Sequence, residues 1–269
     1  MEGLYLYCLR EKTKSSPAIS VKGIDGKEEV LTLPFRELEA VVSKISLEEF
    51  GSSEIQKKAQ ENLPWIKEKA LIHEKVIEEA MRKNDKVLSL IPMRFGIIFK
   101  EEAKLKETLS KDYSKIKEVL ERIEGKQEWS VKLYLKDRKK IEQEVKKGNE
   151  IIKEKEKEIA SLPEGMGYFM EEELKGVISQ EIEKELNNIQ DLVFESLKKH
   201  AVASVKNKIL GRELTGRLEL MILNAAYLIP EEKIEDFKKE AEDLNQRIEA
   251  KGLYFEYTGP WPAYNFSSY

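Results

Sequence analysis

RLELMILNAAYLI, Arg217 to Ile229, reads as a buried strand, and what flanks it decides the fold. Its run of aliphatic residues is broken only by Glu219 and Asn224, which fits a strand over Leu218 to Leu228. A shorter strand pattern, Ala201 to Lys206, precedes it. After it comes a helix over Glu231 to Ala250, where Ile234, Phe237, Ala241, Leu244 and Ile248 recur at helical spacing, and then a strand from Leu253 to Tyr257. Upstream, Trp129 to Leu135 is a strand and helices run to about Lys199. The order βαββαβ predicts a ferredoxin-like sandwich. Its first crossover is overlong: residues 136–161 add a highly charged helix with a thin stripe (Ile141, Val145, Ile152, Ile159), expected to project into solvent, before Pro163 and Gly165 break the run.

Toward the amino terminus, GLYLYCLR (Gly3 to Arg10) predicts a strand buried on both faces. Further strands are expected at Val30 to Leu33 and Leu38 to Ile45, with a turn at Gly23 to Gly26. A helical region over Ser53 to Lys83 follows, in which Pro64 opens a new segment and Ile66, Ala70, His73, Ile77 and Ala80 share a face. A strand pair, Val87 to Met93 and Ile97 to Phe99, is joined through Arg94, Phe95 and Gly96, and a helix from Glu101 to Ile123 closes this part. The fold class is therefore α+β in two domains. Residues 1–125 form an α+β domain, 126–258 the ferredoxin-like domain with its helical insertion, and 259–269 an uncharged tail rich in aromatic residues and proline.

That tail stands out in a chain with 36% charged residues. Pro260, Trp261, Pro262, Tyr264, Asn265 and Phe266 make a segment suited to lying on a surface, either its own domain or a partner. The 47 basic and 51 acidic side chains are balanced in both halves, so the basic excess of a nucleic-acid binder is missing. No signal peptide or membrane span is expected, and the single cysteine, Cys8, fits a reducing cytoplasm.

Chemical constellations are sparse. His73-Glu74 resembles half of a zinc-protease helix, but Ile77 stands where the second histidine belongs, and His200 is the only other histidine. His73 is therefore expected to be a hydrogen-bonded core residue. The stretch 163–168 (PEGMGY) lacks a phosphate-loop lysine and dinucleotide spacing, and reads as a helix break. No catalytic, cofactor or metal site emerges. The strand at 217–229 offers aliphatic residues where an RNA-binding sheet needs stacking rings. Arg94, between two apolar strands, must pair with a buried carboxylate or reach a surface at the Gly96 turn; structural pairing is the expectation.

Seven segments together resemble the gas vesicle protein L/F family. They are LYLYCL (Leu4 to Leu9), Pro64-Trp65 followed by AxxHEKV (Ala70 to Val76), PMRFGIIF (Pro92 to Phe99), WSVKLYL (Trp129 to Leu135), GYF (Gly167 to Phe169), LNAAYLIP (Leu223 to Pro230) and TGPWPAYNF (Thr258 to Phe266). The resemblance covers nearly the whole chain, and the RFG, NAAYL and TGPWP elements are its most specific parts. It implies a non-enzymatic accessory protein of gas vesicle formation, cytoplasmic and vesicle-associated, needing no cofactor. Its implied partners are the small, apolar shell protein or other accessory vesicle proteins. Candidate contact residues are Arg94, Phe95 and Gly96 and the tail from Pro260 to Phe266, with sheet edges that could hold an apolar strand. Two alternatives stay open: an anion binder or enzyme using Arg94 in an interdomain cleft, and an RNA-binding module.

Overall fold

Strand β1 (Glu2–Glu11) carries most of the strand pairing of the first unit in the computed structural model, which describes residues 1–12, 19–83, 86–163 and 167–268. Two compact units are formed, Met1–Glu128 together with Gly259–Tyr269, and Trp129–Thr258.

In the first unit β1 is followed by β2 (Val30–Phe35), β3 (Leu38–Ser46), the helices α1 (Leu47–Phe50), α2 (Ser52–Glu61) and α3 (Leu63–Met81), the short strands β4 (Arg82–Lys83), β5 (Lys86–Val87), β6 (Leu90–Pro92) and β7 (Ile98–Phe99), and helix α4 (Glu102–Ile123). The sheet runs β2-β3-β1-β6, with β7 also on β1. Tyr5, Tyr7, Cys8 and Leu9 are almost completely buried, as expected for a strand covered on both faces. Helix α3 supplies Val76, Ile77 and Ala80 to the core shared with Tyr5 and Tyr7. Helix α4 packs on β1, β6 and β7 and buries Leu105, Leu109, Ile116, Leu120 and Ile123. The start of α3 is fixed by Asn62, whose side chain accepts from Trp65 N at 3.1 Å, with Pro64 in the first turn.

The expected strand pair around Arg94 does not form. β6 and β7 both pair antiparallel with β1, Leu9 facing Ile91 and Tyr5 facing Ile98, so they are successive pieces of one interrupted neighbour. Residues 93–97 arch out between them. The arch is tied back by Met93 N donating to Tyr7 O at 2.8 Å and Leu6 N donating to Ile97 O at 2.9 Å. Two short apolar runs either side of a glycine look like a hairpin in sequence; an already central β1 offers both of them better pairing than they could give each other.

The second unit contains most of β8 (Lys126–Leu135), then α5 (Arg138–Gly148), α6 (Glu150–Ala160), α7 (Tyr168–Lys198), β9 (Ala203–Lys206), α8 (Arg212–Thr215), β10 (Leu220–Pro230), α9 (Ile234–Glu249) and most of β11 (Leu253–Trp261). Its sheet runs β11-β8-β10-β9. Val131 and Leu133 of β8, Leu223, Ala225 and Tyr227 of β10, and the inner faces of α7 and α9 form one core. Every residue of the α9 stripe expected from sequence is buried.

The charged crossover does not project. It breaks into α5 and α6 at Asn149, whose side chain caps α6 by accepting from Ile152 N at 3.2 Å. Both helices pack on α7, and Ile141, Val145 and Ile152 are buried in the core of this unit. Three well-spaced branched side chains suffice because each sits at the contact with a neighbouring helix. The sequence-predicted helix break ends in part outside the described residues, which omit 164–166.

Candidate functional site

Two segments of the first unit singled out in the sequence, the Arg94 turn and the tail, are both anchored on α3, at the adjacent residues His73 and Glu74. His73 accepts from the Tyr5 hydroxyl at Nδ1 (3.0 Å) and donates from Nε2 to the Met93 carbonyl (3.0 Å). The Tyr5 oxygen accepts in turn from Gly96 N at 2.9 Å. One histidine and one tyrosine thus hold both ends of the turn.

Burial drives the His73 pKa down to about 4, against a smaller opposing effect of the Met93 carbonyl, so the ring is neutral and both its nitrogens are engaged. Desolvation likewise pushes the Tyr5 hydroxyl up. Gly96 takes a φ of 89°, which side-chain-bearing residues avoid, and this allows the tight reversal. Phe95 packs edge-on to Tyr5 and His73, with ring centres 6.1 and 5.8 Å apart. Arg94 is exposed and makes no ion pair or hydrogen bond among the described residues. The expected structural pairing is therefore corrected: with its neighbours tied down, the turn leaves its guanidinium in solvent.

The tail lies on its own unit. Pro262, Ala263 and Ser267 are buried, Pro260 and Phe266 half-buried, and Trp261, Tyr264 and Asn265 remain exposed. The Tyr264 hydroxyl donates to Glu74 Oε1 at 2.8 Å. Asn265 donates twice to Glu128, from its backbone N to Oε2 (2.9 Å) and from Nδ2 to Oε1 (2.6 Å). Arg122 Nη2 donates to the carbonyls of Phe266 (3.0 Å) and Ser268 (3.1 Å). Glu128 is buried, and desolvation raises its pKa to about 7 even though both Asn265 bonds favour the ionised form. Glu74 is raised too, chiefly by burial.

Tyr5, Arg122 and Glu128 were not among the sequence candidates. The alternation in LYLY marked Tyr5 as a strand residue only, and nothing local marks Arg122 or Glu128, whose partners lie at the far end of the chain.

A different surface exists on the second unit. The connection from β9 to β10 exposes Ile209, Leu214 and Leu218, with Leu214 and Leu218 more than three-quarters exposed, and Leu220 follows on β10. This connection is pinned: Asn224 Nδ2 donates to Lys208 O at 2.9 Å, and Arg217 forks onto both Glu256 oxygens (2.8 and 2.7 Å) while reaching Tyr254. Exposed leucines on an anchored segment are candidate contact residues.

Chemistry is otherwise muted. No cluster of three or more His, Cys, Asp or Glu among the described residues could hold a metal ion. Cys8 is fully buried, its thiol pushed up to about 12 by desolvation. No described helix is long and apolar enough to cross a membrane.

The family model described as gas vesicle synthesis protein GvpL/GvpF matches residues 3–268. The chain belongs to this family. Gas vesicle protein F1 of Halobacterium salinarum is 25% identical over 98% of this chain and 92% of its own length. Gas vesicle protein F of Dolichospermum flosaquae is 27% identical over 71% and 74%. Gas vesicle protein L of a Streptomyces species is 22% identical over 98% and 92%. The crystal structure of GvpF from Anabaena sp. PCC7120 shares the fold, with a TM-score of 0.74 at 22% identity over 100% of this chain and 99% of that one. Membership of the GvpL/GvpF family supports a role in gas vesicle formation, and both F and L proteins are among the relatives.

Proposed function

We propose that this chain is a non-enzymatic accessory protein of gas vesicle formation that binds the apolar shell protein, other accessory vesicle proteins, or both, during assembly or as a minor vesicle component. The observation that carries this reading is the family match from residue 3 to residue 268, which leaves neither unit outside it. The physical rationale is that apolar shell subunits would aggregate before incorporation, and a folded partner presenting anchored apolar side chains or a sheet edge can hold them. Side chains suited to this are the exposed Leu214 and Leu218 on the second unit, and the exposed Arg94, Trp261, Tyr264 and Asn265 on the first unit. Phe95, Gly96, Pro260 and Phe266, half-buried, and Pro262, buried, neighbour these residues in the chain.

The second unit is read as a ferredoxin-like domain. Its central β8 and β10, with α7 and α9 covering one face of the sheet, support that reading. The expected domain limits of 1–125 and 126–258 are kept as the folding units to be tested by expression.

A pull-down with the purified full-length chain, against lysate containing the shell protein and each accessory vesicle protein in turn, tests the function. Retention of at least one vesicle protein is expected, weakened by Leu218→Ser or Arg94→Glu. A folded chain that retains none of them overturns the reading.

A further inference from the structure

We propose that residues 262–268, which follow β11, form a releasable strap on the first unit, latched by the carboxylates of Glu74 and Glu128 and by the guanidinium of Arg122, and that this strap opens without unfolding the unit beneath it. The geometry points this way because the attachment is polar and partly wet. Only Pro262, Ala263 and Ser267 of the seven residues are buried, while Tyr264 and Asn265 make their latch bonds from exposed positions. Segments with few buried apolar contacts and solvent-accessible hydrogen bonds open at a fraction of the global cost.

The acceptors give the latch a sense of pH. In its ionised form Glu128 offers both oxygens to the two Asn265 donors, yet burial disfavours that charge and brings its pKa to about 7. Side chains lining the small cavity beside Glu128 come from α3 (Met81), β6 (Leu90), α4 (Ile123), β8 (Lys126), β11 (Trp261) and the strap (Ala263). Lys126 is the other charged group among the described residues there, and its Nζ donates to the Glu124 carbonyl. Glu74 faces Tyr264 and, along its own helix, the like charge of Glu78, with Cys8 and Tyr5 near the Tyr264 hydroxyl. Neither carboxylate has an ion-pair partner among these groups. Lifting the strap lets Glu128 meet water and ionise at its ordinary value of 4.5, so rising pH favours the open state, about tenfold per pH unit between the two values.

Hydrogen exchange of the full-length chain, resolved to single amides and corrected for the intrinsic pH dependence of exchange, tests this. The Asn265 amide is expected to be far less protected than the amides of β1, and its protection should fall about tenfold between pH 5.5 and 6.5. That pH dependence should weaken in Glu128→Gln and vanish when Glu74→Gln is added to it. Asn265→Ala, which alters no titrating group at an exposed position, should lower strap protection several-fold and leave β1 unchanged. The proposal is overturned if Asn265 and β1 are equally protected, if the pH dependence is absent in the parent or persists undiminished when both Glu74 and Glu128 are replaced by Gln, or if Asn265→Ala lowers strap and β1 protection together.

Discussion

Tyr264 and Glu74, 190 positions apart in the chain, meet at 2.8 Å, and one residue before Glu74 on the same helix His73 holds the Arg94 turn. Helix α3 therefore sets the placement of two surface segments that the sequence marks separately. Removing the Tyr264 hydroxyl takes away one hydrogen bond to a carboxylate while Glu74 keeps access to water. Tyr264→Phe should cost about 1 kcal/mol in urea unfolding; no change would mean that the bond contributes nothing to the folded state.

Arg10 is 1% exposed, forks onto Glu39 Oε2 (3.2 and 3.1 Å) and donates to the Ala80 carbonyl at 2.7 Å. Deleting the acid strands a guanidinium among apolar residues. Glu39→Ala should destabilise the chain by roughly 3–5 kcal/mol in chemical denaturation, and a loss below about 1 kcal/mol would contradict a dry pair.

Crossover packing predicts a third outcome. Ile141 and Ile152 are fully buried although they lie in the most charged part of the chain. Ile141→Ala or Ile152→Ala should each cost about 2–5 kcal/mol; a projecting, solvated helix would tolerate both within about 0.5 kcal/mol.

Two buried titrating groups oppose each other. The folded-state pKa of His73, about 4, lies below its ordinary 6.5, so its contribution is complete above pH 6.5 and is lost as pH falls toward 4, by roughly 3 kcal/mol. The folded-state pKa of Glu128, about 7, lies above its ordinary 4.5, so its contribution is complete below pH 4.5 and is lost as pH rises to 7, again by roughly 3 kcal/mol. Between pH 4.5 and 6.5 the two slopes offset. Relative to the parent chain, His73→Gln should lose stability as pH rises through this window, and Glu128→Gln should gain it. Urea unfolding at pH 5, 6 and 7 checks both signs, and variants whose profiles run parallel to the parent would refute the assignment.

Legibility in the sequence followed locality. The α9 stripe and the doubly buried β1 were readable because their burial repeats at the period of the element itself. The core role of His73 was readable from its place on an apolar helix face. The arch at residues 93–97 was misread because two short apolar runs around a glycine look the same whether they pair with each other or line one edge of a third strand. The crossover was misread because its many lysines and glutamates outweighed three well-placed branched residues. Arg94 was expected to pair because its neighbours are apolar, but the hydrogen bonds of Tyr5 and His73 to the arch, invisible locally, leave it in solvent. The Asn265–Glu128 contact joins residues 137 positions apart and has no signature in either neighbourhood.

The most direct test of the proposed function is vesicle formation in a host whose gas vesicle gene set lacks its own GvpL/GvpF member. Supplying this chain is predicted to restore vesicles, with the chain co-purifying with the shell protein or another vesicle protein, and Leu214→Ser combined with Leu218→Ser is predicted to reduce both. Vesicle yield that is indifferent to the folded chain, with no vesicle protein bound to it, would contradict the account.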